Sequence, residues 1–576
     1  MIRTCFNTDL TLADVGKEVT LVGWAAKRRN LGQLLFIDLR DRSGIIQVLV
    51  NDTTNVPDIR NEYVIQVVGT VSKKEVPNKN LKTGEIEIIA KEVKVINKAK
   101  NPPIIIEDNT DALEDTRLKY RYLDLRRPIM QKYQDIRHKI KMATHRYLNE
   151  LRFIEIETPM LCASSPEGAK EYLVPSRIHH GTFYALPQSP QMFKQLLMVG
   201  GFERYYQIAR CFRDEDLRAD RQPDFTQIDI ETSFLDQEQF LEMMEGLIAN
   251  IFDETIGYKL VTPFKRITYK DAIDLYGSDK PDTRFDMKLV DLKQVFALTT
   301  FEGYKNAESI KGLKVEGVAK DTSRKIIDKL NLDAKQFSLA GATVLKIEEG
   351  NLVGSFTKFL SEQEKEALIK VFDAKDNDII IISAGNYSRV CAYLGSVRSA
   401  YGHSLNLIDE SIHDVLWVVD FPMFERDLET NKIVCTHHPF TRVKDEDIPL
   451  LDTDPTKVLS YAFDLVIDGY ELSSGSLRNY DQEMQEKIFN LLGLSEEEIR
   501  NKFGFFVDAL KYGTPPHGGM GIGLERLTMI LSNTNNIRDV VAFPKNLAGV
   551  CPMSNAPTPS TTDRLEELGI KIIEQE

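Results

Sequence analysis

The sequence predicts a multidomain α+β protein: a small all-β module at the N-terminus, then an antiparallel-sheet domain with helices, interrupted by an insertion. Three observations predict it. Residues 1–100 hold five β-rich runs separated by turns. Beyond residue 160, strand-like and helix-like stretches alternate around one long hairpin, Arg204 to Phe234. The 576 residues suffice for about three or four domains.

In the N-terminal module, Val19–Ala25 reads as a strand. Leu34–Arg40 and Ile45–Val50 form a hairpin across Asp41-Arg-Ser-Gly44, and Tyr63–Val71 and Glu85–Ile96 follow. Five strands in about 100 residues suggest a barrel of the OB type. Its basic run Lys27-Arg28-Arg29 adjoins Phe36 and Gln47, and aromatic plus basic residues on a barrel face suit single-stranded bases. Phe36 reads equally well as core. The net charge of −14 argues against a nucleic-acid partner for the chain as a whole. Residues 1–100, however, carry 16 Lys and Arg against 12 Asp and Glu, a balance of +4 that leaves −18 for the rest. A basic module on an acidic body suits a locally docked RNA.

Asn101-Pro-Pro103 opens a linker that ends in the basic connector Arg117–Pro128. Pro128 then starts a helix over Ile129–Leu151, with Ile136, Ile140, Ala143 and Leu148 at helical spacing. Residues 271–411 look like an insertion, rich in Gly, Lys and Asp, with no candidate for chemistry. The sheet pattern resumes with the buried strand Val415–Phe424.

Composition excludes several classes. No run of about 18 apolar residues exists, so no transmembrane helix is expected. The N-terminus has no apolar signal region. Six scattered cysteines form no Cys-x-x-Cys pair, so zinc and disulfide frameworks are not indicated and a reducing cytosol fits. There is no Gly-x-Ser-x-Gly elbow, no P-loop and no His-Glu-x-x-His.

Three stretches carry the chemistry. Phe153-Ile-Glu-Ile-Glu-Thr-Pro-Met-Leu161 reads as a strand ending at proline. In the hairpin, Phe212-Arg213-x-Glu215 places Arg213 and Glu215 two apart, on one face if the strand continues. Gly518-Gly-Met-Gly-Ile-Gly-Leu-Glu-Arg526 leads glycines into a helix starting near Leu524. In this order they resemble the three signature motifs of class II aminoacyl-tRNA synthetases. Adding Phe183–Leu197 and Arg213–Phe225 narrows the resemblance to bacterial-type aspartyl-tRNA synthetases, over nearly the whole chain.

The resemblance implies a class II antiparallel-sheet catalytic domain in two parts, 129–270 and 412–545. It also implies an OB-fold anticodon-binding domain at 1–100, a hinge at 101–128, an inserted bacterial-type α+β domain at 271–411 and a C-terminal extension at 546–576. The implied reaction joins L-aspartate to ATP, releases pyrophosphate, and transfers aspartate to the 3′ end of tRNA(Asp). Positioning and charge neutralisation carry such a reaction. Arg213 would bridge the substrate carboxylate and the α-phosphate. Arg526 would hold the γ-phosphate or stack on adenine opposite Phe225. Glu215 would accept from the adenine amine or order the loop, and Asp214, Gln222, Gly523, Leu524 and Glu525 would complete the ATP site. Mg²⁺ would be held by Asp464, Glu471 and Ser474. Asp464 and Glu471 are seven apart, on opposite faces of a straight strand, so their pairing needs a bulge at Gly469.

For the amino acid, Lys194 and Arg478 would read the side-chain carboxylate. Asp229 and Gln191 would hold the α-ammonium and backbone side, with Glu167 on a closing loop and His437 and His438 beside the carboxylate. Arg29, Phe36 and Gln47 would read the anticodon. A homodimer through the 129–151 helix and the following strand, and a cytoplasmic location, are implied as well; neither membrane nor DNA is. One departure stands out: Ser473-Ser474 occupy positions where similar enzymes have glycines.

The alternative within this reading is a relaxed enzyme that also charges tRNA(Asn); Leu31 and Lys82 point to strictness. An asparagine or lysine enzyme would not need the cation pair Lys194 and Arg478. A non-catalytic relative would have lost Arg213, Arg526 or Glu471.

Overall fold

The computed structural model describes residues 3–32, 34–51, 56–164, 169–427 and 430–573. The chain divides into two compact units.

The first unit comprises Met1–His138, Asp216–Pro223 and Ser532–Glu566. Its barrel is built from β1 (Glu18–Leu31), β2 (Leu34–Arg40), β3 (Ile45–Val50), β4 (Val64–Lys73) and β5 (Ile86–Asn97), closed in the order β1-β2-β3-β5-β4. Strict alternation of Leu21, Ile37, Leu39, Ile46, Val48, Ile65, Val67 and Ile88 sends these side chains into one core, as a period of two requires. A bulge at Ala26 breaks that period in β1. Ala25 pairs with Leu39, but Lys27 pairs with Asp38 and Arg29 with Phe36. Without it Lys27 and Arg29 would face the core; with it they join the outer face.

The basic connector turns out to be internally paired. Asp124, fully buried, accepts from Arg117, Arg121 and Arg127. Arg121 also donates to the Ala542 and Val541 carbonyls. Arg126 donates to Glu62 of the barrel and lies over Trp24.

The second unit comprises Lys139–Glu215, Asp224–Leu531 and Glu567–Glu576. Helix α1 (Pro128–Glu150) leads into it. Next come β6 (Ile154–Glu155), α2 (Gln191–Val199), β7 (Arg204–Phe212), β8 (Asp224–Ser233), α3 (Gln237–Ile256), β9 (Lys265–Thr268) and α4 (Tyr269–Tyr276). Helix α5 (Tyr387–Ser404) closes the inserted segment. The chain returns with β10 (Val415–Val419), β11 (Ala462–Ile467), β12 (Tyr470–Leu477), β13 (His517–Gly523) and α6 (Leu524–Ser532). One eight-stranded sheet results, in the order β9-β10-β11-β12-β13-β8-β7-β6. Only its edge pairs, β9–β10 and β6–β7, are parallel.

Helix α3 covers the back of this sheet. It is capped by Asp236 and stopped by Gly257 at φ +71°, where a left-handed residue satisfies the last carbonyls. Its Phe240 meets Phe463, which in turn meets Trp417 edge-on. The inserted segment folds on its own five-stranded antiparallel sheet, in the order 289–291, 309–315, 379–385, 343–348, 351–353, with an apolar core on each face.

Several expectations are corrected here. Strand β7 stops at Phe212, so Arg213 and Glu215 lie in the loop beyond it. The strand of Phe153–Leu161 shrinks to Ile154–Glu155. The glycines before α6 form a strand. Residues 464–471 are not one strand but a hairpin: Asp468 (φ 55°) and Gly469 (φ 82°) make its turn, both in the left-handed region that a two-residue hairpin turn uses.

Candidate active site

The front face of the eight-stranded sheet can be read from register alone, because residues directly opposite on antiparallel strands share a face. Asp464 lies opposite Ser474, Ser474 opposite Gly521, Gly521 opposite Asp229, and Asp229 opposite Gln207. The next row holds Ser476, Gly519, Glu231 and Tyr205. Strand β13 thus presents Gly519, Gly521 and Gly523 to this face, and its middle is free of side chains. The gap serves the neighbours. A Cβ at Gly519 would sit 2.0 Å from Glu231 Oε2, and one at Gly521 would sit 3.2 Å from Asp229 Oδ1. At Gly523 a Cβ would make only ordinary contacts, 3.7 Å to the Leu472 carbonyl oxygen and 3.8 Å to Arg526 Cβ, so no internal contact demands that glycine.

The predicted cations come together with two carboxylates. Gln191 and Lys194, three apart on α2, share a face. Lys194 Nζ lies 2.9 Å from Asp229 Oδ1 and 3.5 Å from Glu231 Oε2. Arg478 grips Glu231 twice, at 2.9 and 3.1 Å, and donates to His438 Nε2 at 2.8 Å and Ser476 Oγ at 2.7 Å. All four charged groups are at most 2% exposed. Arg478 directs four N–H donors at these partners and keeps one of its five. Burial pushes the Asp229 carboxyl up, and Lys194 opposes this only in part. At Glu231 burial is outweighed by Arg478 and Lys194, which hold it below the usual range. Orphaned atoms mark the ligand side: Asp229 Oδ2, Gln191 Nε2 and Arg213 Nε are buried with no hydrogen-bond partner.

Histidines 437 and 438 separate. His438 is held well below its ordinary pKa by burial and by Arg478, so it is neutral and accepts from the guanidinium. His437 stands 3.4 Å from Asp464 and edge-on to Phe421.

On the other side, β11 and β12 carry the acidic pair. The expected bulge exists, but at Leu472 rather than Gly469: Leu465 pairs with Ser473 and Val466 with Glu471. The hairpin already puts Glu471 on the face of Asp464, and the bulge adds Ser474 to it. Burial and then Asp464 raise the Glu471 carboxyl, with Lys280 and Arg526 opposing. Arg526 donates to the Glu471 carbonyl. Ser473 points to the opposite face, buried with its hydroxyl unpartnered. Two carboxylates on one face suit a divalent cation. Among the described residues no cluster of three His, Cys, Asp or Glu is placed to hold a metal.

Arg213 lies over the Phe225 ring, 5.1 Å from its centroid. Glu525 is buried and accepts from the Thr226 main-chain N–H at 2.9 Å, tying α6 to the start of β8; Leu524 is core. Asp214 and Glu215 are exposed. Gln222 belongs to the first unit, where its amide donates to and accepts from the Lys545 main chain at 3.0 and 2.8 Å. These two bonds order the loop that carries Gln222. Glu167 lies outside the described residues.

In the barrel, Arg29 reaches Asp38 at 2.9 Å and Gln47 at 3.4 Å. Phe36 stands on the same outer face, half-buried and outside the core, so the core reading does not hold.

Glu231 is the functional residue that the sequence reading missed. The signal was present: Asp229-Ile-Glu231 in an alternating strand puts two acids on one face. Ser476 and His517, which packs against Gln195 at 3.2 Å, had no comparable signal.

Residues 113–547 match the family of tRNA synthetases class II (D, K and N), and residues 19–96 match the OB-fold nucleic acid binding domain. The chain is 48% identical to an aspartate–tRNA(Asp/Asn) ligase of Geobacillus sp. (strain WCH70), over 99% of this chain and 98% of that one. It is 49% identical to the ligase of the same name from Bacillus cytotoxicus, over 98% of both. Among solved structures, asparaginyl-tRNA synthetase of Pyrococcus horikoshii complexed with asparaginyl-adenylate superposes with a TM-score of 0.59 at 19% identity, covering 94% of this chain and 98% of that one. Aspartyl tRNA synthetase of Entamoeba histolytica gives 0.57 at 19%, covering 93% and 90%.

Proposed function

The chain belongs to the class II tRNA synthetases of the D, K and N group, and we propose that it is an aspartate–tRNA ligase using ATP. The observation that carries the substrate assignment is the buried cluster Lys194–Asp229–Glu231–Arg478. Its two cations keep spare donors for an anionic side chain. An asparagine amide would leave them unpaired, a mismatch that discriminates by about 10⁴ or more.

Aspartate's α-ammonium fits the unpartnered Asp229 Oδ2, with Gln191 beside it and Glu167 as a further carboxylate for it. Arg213 bridges the α-carboxylate and the α-phosphate, and it stabilises the charge of the pentacoordinate transition state. Phe225 and Arg526 flank the adenine and polyphosphate. Gly523, with no side chain, lets the nucleotide approach the backbone closely. Glu525 positions α6 against β8, and Asp214 and Glu215 lie on the loop that follows β7. Asp464, Glu471 and Ser474 would hold Mg²⁺, which supplies charge neutralisation on the phosphates. The barrel face of Arg29, Phe36 and Gln47 stacks and pairs the anticodon.

The relatives' printed names favour a second reading, in which tRNA(Asn) is charged as well. The exposed apolar residues Ile154, Met160 and Leu161 after α1 support a homodimer. Among the described residues no helix is long and apolar enough to cross a membrane; together with the scattered free cysteines this supports a cytoplasmic location. The experiment is pyrophosphate exchange with each amino acid, then charging of purified tRNA(Asp) and tRNA(Asn). Exchange with aspartate alone is expected; exchange driven by asparagine or lysine instead refutes the assignment.

A further inference from the structure

The inserted segment offered no chemistry in its sequence, yet its first turn reaches the acidic pair. Helix α4 ends at Gly277, φ +67°, which presses on α5: a Cβ at Gly277 would sit 2.2 Å from the Cys391 carbonyl oxygen, and one at Gly395 would sit 2.4 Å from the Gly277 oxygen. Pro281 is buried. Asp282 binds Arg284 at 2.7 Å, and Arg284 donates to the Asp468 carbonyl at 3.4 Å. A Cβ at Gly469 would meet Asp282 Cβ at 2.9 Å. Residues 277–284 are therefore fixed against the β11–β12 turn.

Lys280 sits in the middle of that fixed stretch. Its Nζ stands 3.9 Å from Glu471 Oε2 and 3.9 Å from Asp279 Oδ1. Both distances exceed a hydrogen bond, and the side chain is 48% exposed. Its backbone is anchored while its ammonium is uncommitted, beside a carboxylate whose main chain is held by Arg526. As a surface ion pair this arrangement contributes almost nothing. As one side of a polyphosphate site it has a purpose.

We propose that Lys280 is a further catalytic residue of the adenylation step, binding the β- and γ-phosphates of ATP; this rests on the ligase reading above. An aspartate carboxylate oxygen forms a bond to the α-phosphorus. The bond from that phosphorus to the bridging oxygen breaks, and its electron pair leaves with pyrophosphate. Lys280 keeps its proton and neutralises the charge that the leaving group gathers.

Lys280→Met and Lys280→Arg test it, in aspartate-dependent ATP–pyrophosphate exchange and in pyrophosphorolysis of aspartyl-adenylate. The methionine variant is expected to lose about 10- to 100-fold in kcat/KM for pyrophosphate, the range of one charge-assisted contact. The arginine variant should recover most of it. The aspartate KM and the melting temperature should stay at wild-type values, since the lysine is half-exposed. A folded methionine variant with wild-type pyrophosphate kinetics, or a change confined to the aspartate KM, overturns the assignment while leaving the ligase reading intact. Wild-type protein that shows no aspartate-dependent exchange overturns both.

Discussion

Replacing Lys194 by methionine tests the aspartate pocket most directly. The side chain is 2% exposed and its Nζ is bound to Asp229 at 2.9 Å. Methionine keeps the volume and removes the charge, leaving Asp229 buried with neither carboxylate oxygen partnered. Breaking a buried pair in this way costs about 3–5 kcal/mol of stability. Aspartate loses one charge-assisted donor, about 1.5–3 kcal/mol, so its KM should rise by roughly 10²-fold, a tenfold change being about 1.4 kcal/mol. Preference for aspartate over asparagine should fall by the same factor, and the ATP KM should hardly move. The stability loss has a diagnostic pH dependence. Burial already raises the Asp229 carboxyl, and removing Lys194 raises it further, so the folded variant binds a proton that the unfolded chain does not. Stability of such a group falls as pH rises. The gap between variant and wild type should therefore narrow as pH drops from 8 to 6. Urea unfolding at several pH values reads the gap, and exchange with each amino acid reads the preference. A folded Lys194→Met enzyme that keeps wild-type preference for aspartate refutes the reasoning.

Other substitutions probe the remaining contacts. Arg213→Ala should lower the exchange rate by about 10²–10³, the loss expected for one transition-state donor; exchange within tenfold of wild type removes that role. Arg29→Ala and Phe36→Ala should each raise the tRNA KM without touching aspartate-dependent exchange, with roughly 1–3 kcal/mol lost per unstacked base for the phenylalanine; charging at an unchanged KM argues against the barrel face. His438 and His517 are both held below the ordinary histidine range by burial, so the unfolded chain takes up protons that the folded chain refuses. Stability should be full above about pH 6.5 and fall below it, with a shallower fall in His438→Asn; a flat melting profile from pH 7 to 5.5 contradicts their neutral state. Glu471→Gln should raise the Mg²⁺ concentration needed for half-maximal exchange, and an unchanged requirement places the metal elsewhere.

The barrel and the start of α6 were legible in the sequence because both are local. Alternation in Val19–Ala25 and Ile45–Val50 states which residues face inward, and the glycine-to-leucine transition at Gly523-Leu524 is also where the helix begins. Lys194, Arg478 and Arg213 follow from the resemblance of their stretches to class II synthetases, and cations are what an anionic substrate and a phosphate require. What the sequence could not state is which strand lies beside which. Register across strands is set by long-range packing, and it alone made Asp464, Ser474, Gly521 and Asp229 one row. Period two also fails wherever a strand gains a residue: the bulges at Ala26 and Leu472 moved Arg29 outward and put Ser474 on the face of Asp464. The turn at Asp468-Gly469 lies between runs of strand-forming residues, so its place in a hairpin is not announced locally. Glu231 went unread for a related reason: its meaning comes from Arg478, 247 residues away. Lys280 lies beside Glu471 only because Gly277, Pro281 and Asp282 are pinned by tertiary contacts, and no local pattern announces that.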